Sequence, residues 1–337
     1  MGTAMQPGEF WSKGDYAAAG DRWAEASVRL AETYTRPGNE VLDLACGPGA
    51  FAIEAAEAGA KVTALDAAGA LLDLARVRAE NAGAAVEWIQ ADMTAVPADD
   101  AGFDVVASAF GCMFAPDPVA MATELVRLCR KGGRIAVLAW TPESAFGAMA
   151  PLAGRFLPNG GVSPVERWSR PENVAELFAD LPVRLSFTVR TVDVVWDDLD
   201  AAVDEIVNGN PAWIMIRSAV EPTGRWEELR AGLRELFAVN GKTEEHRFVL
   251  PVDYLETLAR KRLGPVDQLH GSAHSASARR GQQRDRGRVR RVAFACHRLE
   301  PALRQERSDP RQERRTQPPP AEAARHRDQA QARPRRI

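Results

Sequence analysis

Residues 41–52 read Val41-Leu42-Asp43-Leu44-Ala45-Cys46-Gly47-Pro48-Gly49-Ala50-Phe51-Ala52. An apolar run broken by one acid, then a glycine turn, then a small-residue run predicts a buried strand, a tight turn and a helix over 50–58. Gly47, Gly49 and Ala52 follow the GxGxx(G/A) spacing, in which small residues let the backbone and a helix N-terminus approach a ligand closely. By itself that spacing also fits a dinucleotide site or a bare strand–helix turn. Two acids narrow the choice. Asp43 lies inside the strand end, where a pyrophosphate would gain nothing from a buried negative charge. Asp66 closes the next apolar run, placed to accept both hydroxyls of a ribose.

Outward from this stretch, short apolar runs alternate with helical patterns. Strands are expected at 61–65, 86–89, 104–109 and 134–140, and helices at 69–81 and 119–130. Strands separated by helices at this interval imply right-handed βαβ units and a doubly wound α/β fold with a parallel sheet. After Trp140 the rhythm breaks. A long connection over 141–170 carries a short helix near 146–156, and a helix follows at 172–179. A strand over 183–196 and helices at 199–207 and 226–239 come next. His246 to Leu250 reads as a last strand, closed by Pro251 and a short helix over 253–261. The first 37 residues read as helical and acidic, with a clear pattern over 17–34.

The net charge of −3 over 337 residues conceals an asymmetry. Residues 1–262 hold 25 Lys and Arg against 38 Asp and Glu, whereas residues 263–337 hold 18 Arg, no Lys and 8 Asp and Glu. An acidic globular part disfavours nucleic acid as a substrate. The tail lacks hydrophobic periodicity and is too polar to offset its ordering entropy by burial, so it is expected to be disordered. Four cysteines without a CxxC pair argue against structural zinc and against a disulfide scaffold. No apolar run reaches the ~18 residues of a spanning helix, and the N-terminus lacks a signal-peptide core. A cytoplasmic protein with no membrane partner and no metal is expected.

Five motifs carry a family resemblance. Val41 to Ala52 resembles motif I of the class I S-adenosylmethionine-dependent methyltransferases, and Leu65-Asp66 resembles their ribose-binding acid. Gln90-Ala91-Asp92-Met93 looks like the adenine-binding turn, Phe103-Asp104-Val105-Val106-Ala107-Ser108 like motif IV, and Arg130 to Ile135 like the turn into the fifth strand. Gly14-Asp15-Tyr16, Phe110 to Asp117, Ala139 to Pro142 and Val249 to Glu256 are similar to one bacterial subgroup acting on small molecules. The resemblance implies a Rossmann-like, mostly parallel seven-stranded sheet with helical lid insertions. It divides the chain into an N-terminal cap (1–37), a cofactor-binding half (38–140), a substrate-pocket half (141–262) and the tail (263–337). It also implies S-adenosylmethionine as cofactor, with its ammonium drawn to Asp43, its ribose to Asp66 and its adenine to Asp92 and Met93. Gly47, Gly49 and Ser108 complete the expected cofactor-binding residues.

The implied chemistry is in-line methyl transfer to a small phenolic, quinone-like or natural-product ring. Its main requirements are alignment and exclusion of water. His246 is the one histidine before the tail, and it matches no family motif, so no catalytic base is assigned. Tyr16, Phe110, Trp140 and Trp213 are candidates to face the sulfonium or an aromatic acceptor. Asn210-Pro211-Ala212-Trp213 has a superficial likeness to the Asn-Pro-Pro-aromatic signature of amino-group methyltransferases, but it lies far beyond the fourth strand and is set aside. The alternatives are a nicotinamide or flavin oxidoreductase, which leaves Asp43 unexplained, and a binding protein that keeps the fold without turnover.

The tail has the composition that an altered reading frame gives in a GC-rich gene. A chain ending at Arg262 is therefore expected to keep its melting temperature, cofactor affinity and turnover. A loss of several degrees in thermal melts, or sequence-selective nucleic-acid binding by the full chain alone, would count against this reading.

Overall fold

The computed structural model describes residues 6–158 and 165–263. Eight strands, β1 (Glu40–Leu44), β2 (Lys61–Asp66), β3 (Val86–Gln90), β4 (Phe103–Ala109), β5 (Cys129–Trp140), β6 (Val183–Trp196), β7 (Lys242–Glu244) and β8 (Arg247–Lys261), form one sheet. Its main path runs β3-β2-β1-β4-β5-β8-β6. The first five strands are parallel, whereas β8 pairs antiparallel with both β5 and β6. The expected seven strands are those of the main path, and β7 adds an eighth by hairpinning onto β8.

β1 takes the centre because Val41, Leu42 and Leu44 are buried on both of its faces, as covered parallel strands require. From β1 the chain moves one way through helix Ala50–Glu57 to β2, and from β4 it moves the other way through helix Pro118–Leu128 to β5. Right-handed crossovers in opposite directions put those helices on opposite faces of the sheet. They also leave a switch point between β1 and β4, where ligands of open α/β sheets bind beyond the strand C-termini.

Helices Pro7–Trp11, Tyr16–Asp21 and Ala24–Tyr34 make up the N-terminal region. Arg22 clamps it to the far end of the sheet. Its guanidinium donates to both carboxylate oxygens of Glu205 and to the Val195 carbonyl, and it lies 5.4 Å from the Trp196 ring.

The end of the chain departs from expectation. The predicted helix over 253–261 is the second half of β8, which runs unbroken through Pro251. Tyr254, Leu255, Leu258 and Ala259 have helix-like spacing, but β5 and β6 take both edges of β8, and adjacent residues on its opposite faces are buried alike. Pro251 is tolerated because it falls in a gap. On one side of β8 the pairing with β7 stops at Val249, and pairing with β5 starts at Tyr254. His246 is not a strand residue. It shares the two-residue β7–β8 turn with Glu245, both at positive φ, as type I′ hairpins demand. Helix Pro211–Val220 was not expected, although Asn210 caps it and Pro211 opens it. The Arg-rich tail lies outside the described residues from 264 onward. Among the described residues, no helix is long and apolar enough to cross a membrane.

One charge is built into β8. Glu256 is 4% exposed, and its carboxylate accepts bonds from the Tyr34 hydroxyl and Arg190 Nε, each at 2.6 Å. Burial and that hydrogen bond push Tyr34 up to about 12, so it remains a neutral donor at physiological pH. Tyr34→Phe leaves one buried carboxylate oxygen unpartnered, at a cost of about 1–3 kcal/mol. The melting temperature of the variant is expected to fall by several degrees, with cofactor affinity unchanged.

Candidate functional site

The site is built where β1, β2 and β4 end. Ala45, Gly47 and Gly49 all have positive φ, which turns the chain sharply into helix Ala50–Glu57. The two glycines are needed for different reasons. A Cβ on Gly49 would lie 3.1 Å from both Ala75 and Trp88, so this glycine serves close packing. A Cβ on Gly47 would meet nothing within 4 Å: the space in front of it is open.

Two carboxylates underlie the turn. Asp66 is 6% exposed and anchors the loop, with Oδ2 accepting from Gly47 N–H and Oδ1 from Ala68 N–H, both at 2.8 Å. Burial raises its pKa, and these N–H groups partly offset the rise. Asp43 is 1% exposed. Ala52 N–H supports its carboxylate, but Oδ2 is buried with no hydrogen-bond partner. Burial first, then the charge of Asp66, hold Asp43 well above the usual carboxylate range. An orphaned, strongly perturbed acid at a strand terminus is a feature of functional sites.

Three cavities meet here. One of about 110 Å³ is lined by Asp66, Asp92, Met93 and Leu71. A second, of about 50 Å³, is lined by Asp43, Cys46, Ser27 and Phe51. Tyr16, Ala45, Gly47, Phe110 and Gly111 wall both. The third, of about 420 Å³, is mostly aromatic and aliphatic, with Trp11, Trp23, Trp140, Phe146 and Trp213 among its walls. Tyr16 borders all three, and Trp11 and Phe114 border the first and third. Phe110, at φ 62°, stacks on Trp140 with centroids 3.8 Å apart and planes at 12°.

The structure thus gathers Asp43, Gly47, Asp66, Asp92 and Met93 around two neighbouring cavities that share walls, with Gly49 in the turn behind them. Asp92 Oδ1 accepts from the backbone N–H and hydroxyl of Thr94, both at 2.8 Å. Ser108 is placed differently. Fully buried, it lines none of these cavities; its hydroxyl donates to the Leu44 carbonyl and accepts from Cys112 N–H. It braces the end of β4 against that of β1, where Gly111 also passes so close that a Cβ would lie 2.4 Å from that of Ala45. Of the four aromatic candidates, Tyr16, Trp140 and Trp213 wall the large cavity and Phe110 the two small ones. His246 lines none of them.

Trp11, Trp23 and Phe114 were not singled out from sequence. Phe114 lies within the motif Phe110 to Asp117, but the two tryptophans carry no local signal for a site. Among the described residues, no three His, Cys, Asp or Glu side chains cluster as metal ligands would.

Residues 41–133 match the family described as a methyltransferase domain. An uncharacterized Mycobacterium tuberculosis protein, Rv1405c, is 35% identical over 204 residues, covering 59% of this chain and 74% of the relative. The chain spans 64–74% of the length of the mycobacterial relatives it matches. The demethylmenaquinone methyltransferase of Thermus thermophilus is 38% identical over 130 residues, 37% of this chain and 58% of the relative. The crystal structure of a candidate methyltransferase from Bacillus halodurans shares the fold, with a TM-score of 0.51 at 20% identity, over 71% of this chain and 100% of that one. The oxidoreductase alternative falls away, and with the motif order and sheet topology these likenesses agree: the chain belongs to the class I S-adenosylmethionine-dependent methyltransferases.

Proposed function

We propose that the chain transfers the methyl group of S-adenosylmethionine to a small, apolar, ring-bearing acceptor held in the 420 Å³ cavity. One observation carries this reading. Tyr16, with Trp11 and Phe114, is a common wall of the acidic cavity beside the glycine turn and of the large aromatic cavity, so two reactants would meet across one layer of aromatic side chains. The residues suit the cofactor. The unpartnered Oδ2 of Asp43 matches an ammonium, and the open space before Gly47 leaves room for the cofactor chain. Each Asp66 oxygen accepts one backbone N–H and retains a lone pair for a ribose hydroxyl. Asp92 and Met93 line the same cavity, suited to an adenine amino group and ring face.

When bound, the cofactor supplies a methyl carbon on a positively charged sulfur, open to in-line attack with a neutral thioether leaving. The chain's part is to align and to exclude water. Aromatic faces at the junction, including Phe110 and Tyr16, favour a desolvated cation. Glu166 is the carboxylate of the large cavity's lining, which has no histidine among the described residues; alignment, rather than a strong base, is the catalytic resource. The name of the Thermus relative, demethylmenaquinone methyltransferase, supports a ring-bearing acceptor, and the acidic globular part speaks against nucleic acid.

Incubation with methyl-labelled cofactor and a metabolite extract is expected to place label in the organic-soluble aromatic fraction. Label confined to nucleic acid or protein, or none above a boiled control, would overturn the proposal.

Asp43 gives an independent check. Its pKa is raised in the folded chain, so folding favours the protonated form. Stability is therefore lost as pH rises from the ordinary carboxylate value through the raised one. Asp43→Asn removes that penalty. The ligand-free variant is expected to melt higher than wild type at neutral pH, with the gap closing below about pH 4. Its affinity for S-adenosylhomocysteine, measured by calorimetry, is expected to fall at least about tenfold, since a charge-assisted bond is lost. A lower melting temperature with unchanged affinity would remove Asp43 from the site.

A further inference from the structure

Besides the Tyr16 hydroxyl and the indole N–H groups of its tryptophans, the large cavity is lined by three polar side chains, Ser169, Glu166 and Asn210. The Ser169 hydroxyl donates to the Val165 carbonyl at 2.6 Å, and Glu166 is exposed. Asn210 differs. Its Oδ1 accepts the N–H groups of Ala212 (2.9 Å) and Trp213 (3.4 Å), capping helix Pro211–Val220. Those two bonds fix the amide's orientation: the oxygen is turned onto the helix, and Nδ2 stands on the opposite side of the same carbon. Among the described residues, no acceptor takes a hydrogen bond from Nδ2, although Asn210 is half-buried and walls the cavity. Nδ2 is thus a donor with no partner among the described residues, on a side chain of the cavity wall, and it is open to an acceptor that a ligand supplies. Trp213, buried and in the same lining, lies in the first turn of the same helix. The helix start therefore presents an amide donor and an indole in one fixed relation.

We propose that Asn210 is a specificity-determining residue that selects acceptors carrying a hydrogen-bond-accepting oxygen at the edge of a flat ring, by donating from Nδ2. The cap enforces the choice. Rotating the amide to offer its oxygen to the ligand would strip the helix of its N-cap, so acceptors presenting only a donor at that edge are disfavoured. The inference rests on the reading of this cavity as the acceptor site.

A matched pair of probes tests it without turnover: 2-acetylnaphthalene, whose carbonyl accepts, and 2-isopropenylnaphthalene, its near-isostere without an acceptor oxygen. Binding is read by quenching of tryptophan fluorescence, with the protein saturated with S-adenosylhomocysteine. Wild type is expected to bind the ketone about fivefold more tightly, the worth of one net hydrogen bond. Asn210→Ser and Asn210→Asp both keep a capping oxygen; the Asp side chain has no donor, and the shorter Ser hydroxyl stands back from the position of Nδ2. The Asp carboxylate stays ionised against the helix N-terminus. Both variants are expected to keep the wild-type melting temperature and S-adenosylhomocysteine affinity while the preference for the ketone disappears. No preference in wild type, a preference that survives in both variants, or failure of either probe to bind would overturn the inference. Failure of wild type to bind S-adenosylhomocysteine would instead overturn the methyl-transfer reading.

Discussion

Two buried carboxylates at the ends of neighbouring parallel strands set the terms for the rest of this structure. Asp43 and Asp66 each pay for desolvation, and each is raised further or partly relieved by its surroundings. Asp66 is relieved by tethering the glycine loop. Asp43 keeps an oxygen with no partner. A fold evolved for stability alone would replace that oxygen with a methyl group. Its retention at the switch point between β1 and β4 leaves an unsatisfied acid where a cation-bearing ligand would relieve it. The surrounding backbone is correspondingly tight, with Ser108 bonded across β1 and β4 and Gly111 against Ala45.

The parallel half of the fold was legible because local and global signals agree there. Apolar runs of strand length alternate with helical spacing, and the glycine turn lies between the first pair. β6 was legible for the same reason, its alternation spanning the observed Val183–Trp196. β8 was not. A strand buried on both faces loses the period of two, and Pro251 looks like a terminator until the gap between β7 and β5 is known. Helix Pro211–Val220 carried a readable start signal in Asn210-Pro211, which was weighed as a catalytic motif and not as a cap.

In the site, the acids that strand ends bring to the small cavities, Asp43, Asp66 and Asp92, could be picked out from the chain alone. Ser108 also lies at a strand end, but on the side that joins β4 to β1. Of the large cavity, only Tyr16, Trp140 and Trp213 stood out in the chain, because its walls come from five separated segments. Trp11, Trp140, Phe146 and Trp213 meet only after the sheet and its N-terminal region have assembled. Arg22, clasped by Glu205 and Val195, shows how that region is held in place.

Tyr16 belongs to that N-terminal region, yet it faces the cavities on both sides of the junction. A side chain shared by two binding sites ties their affinities together. Whatever free energy the occupant of one cavity gains or loses by shifting this ring is returned in equal measure to the occupant of the other. Cofactor and acceptor would thus bind as partners in a thermodynamic cycle rather than independently.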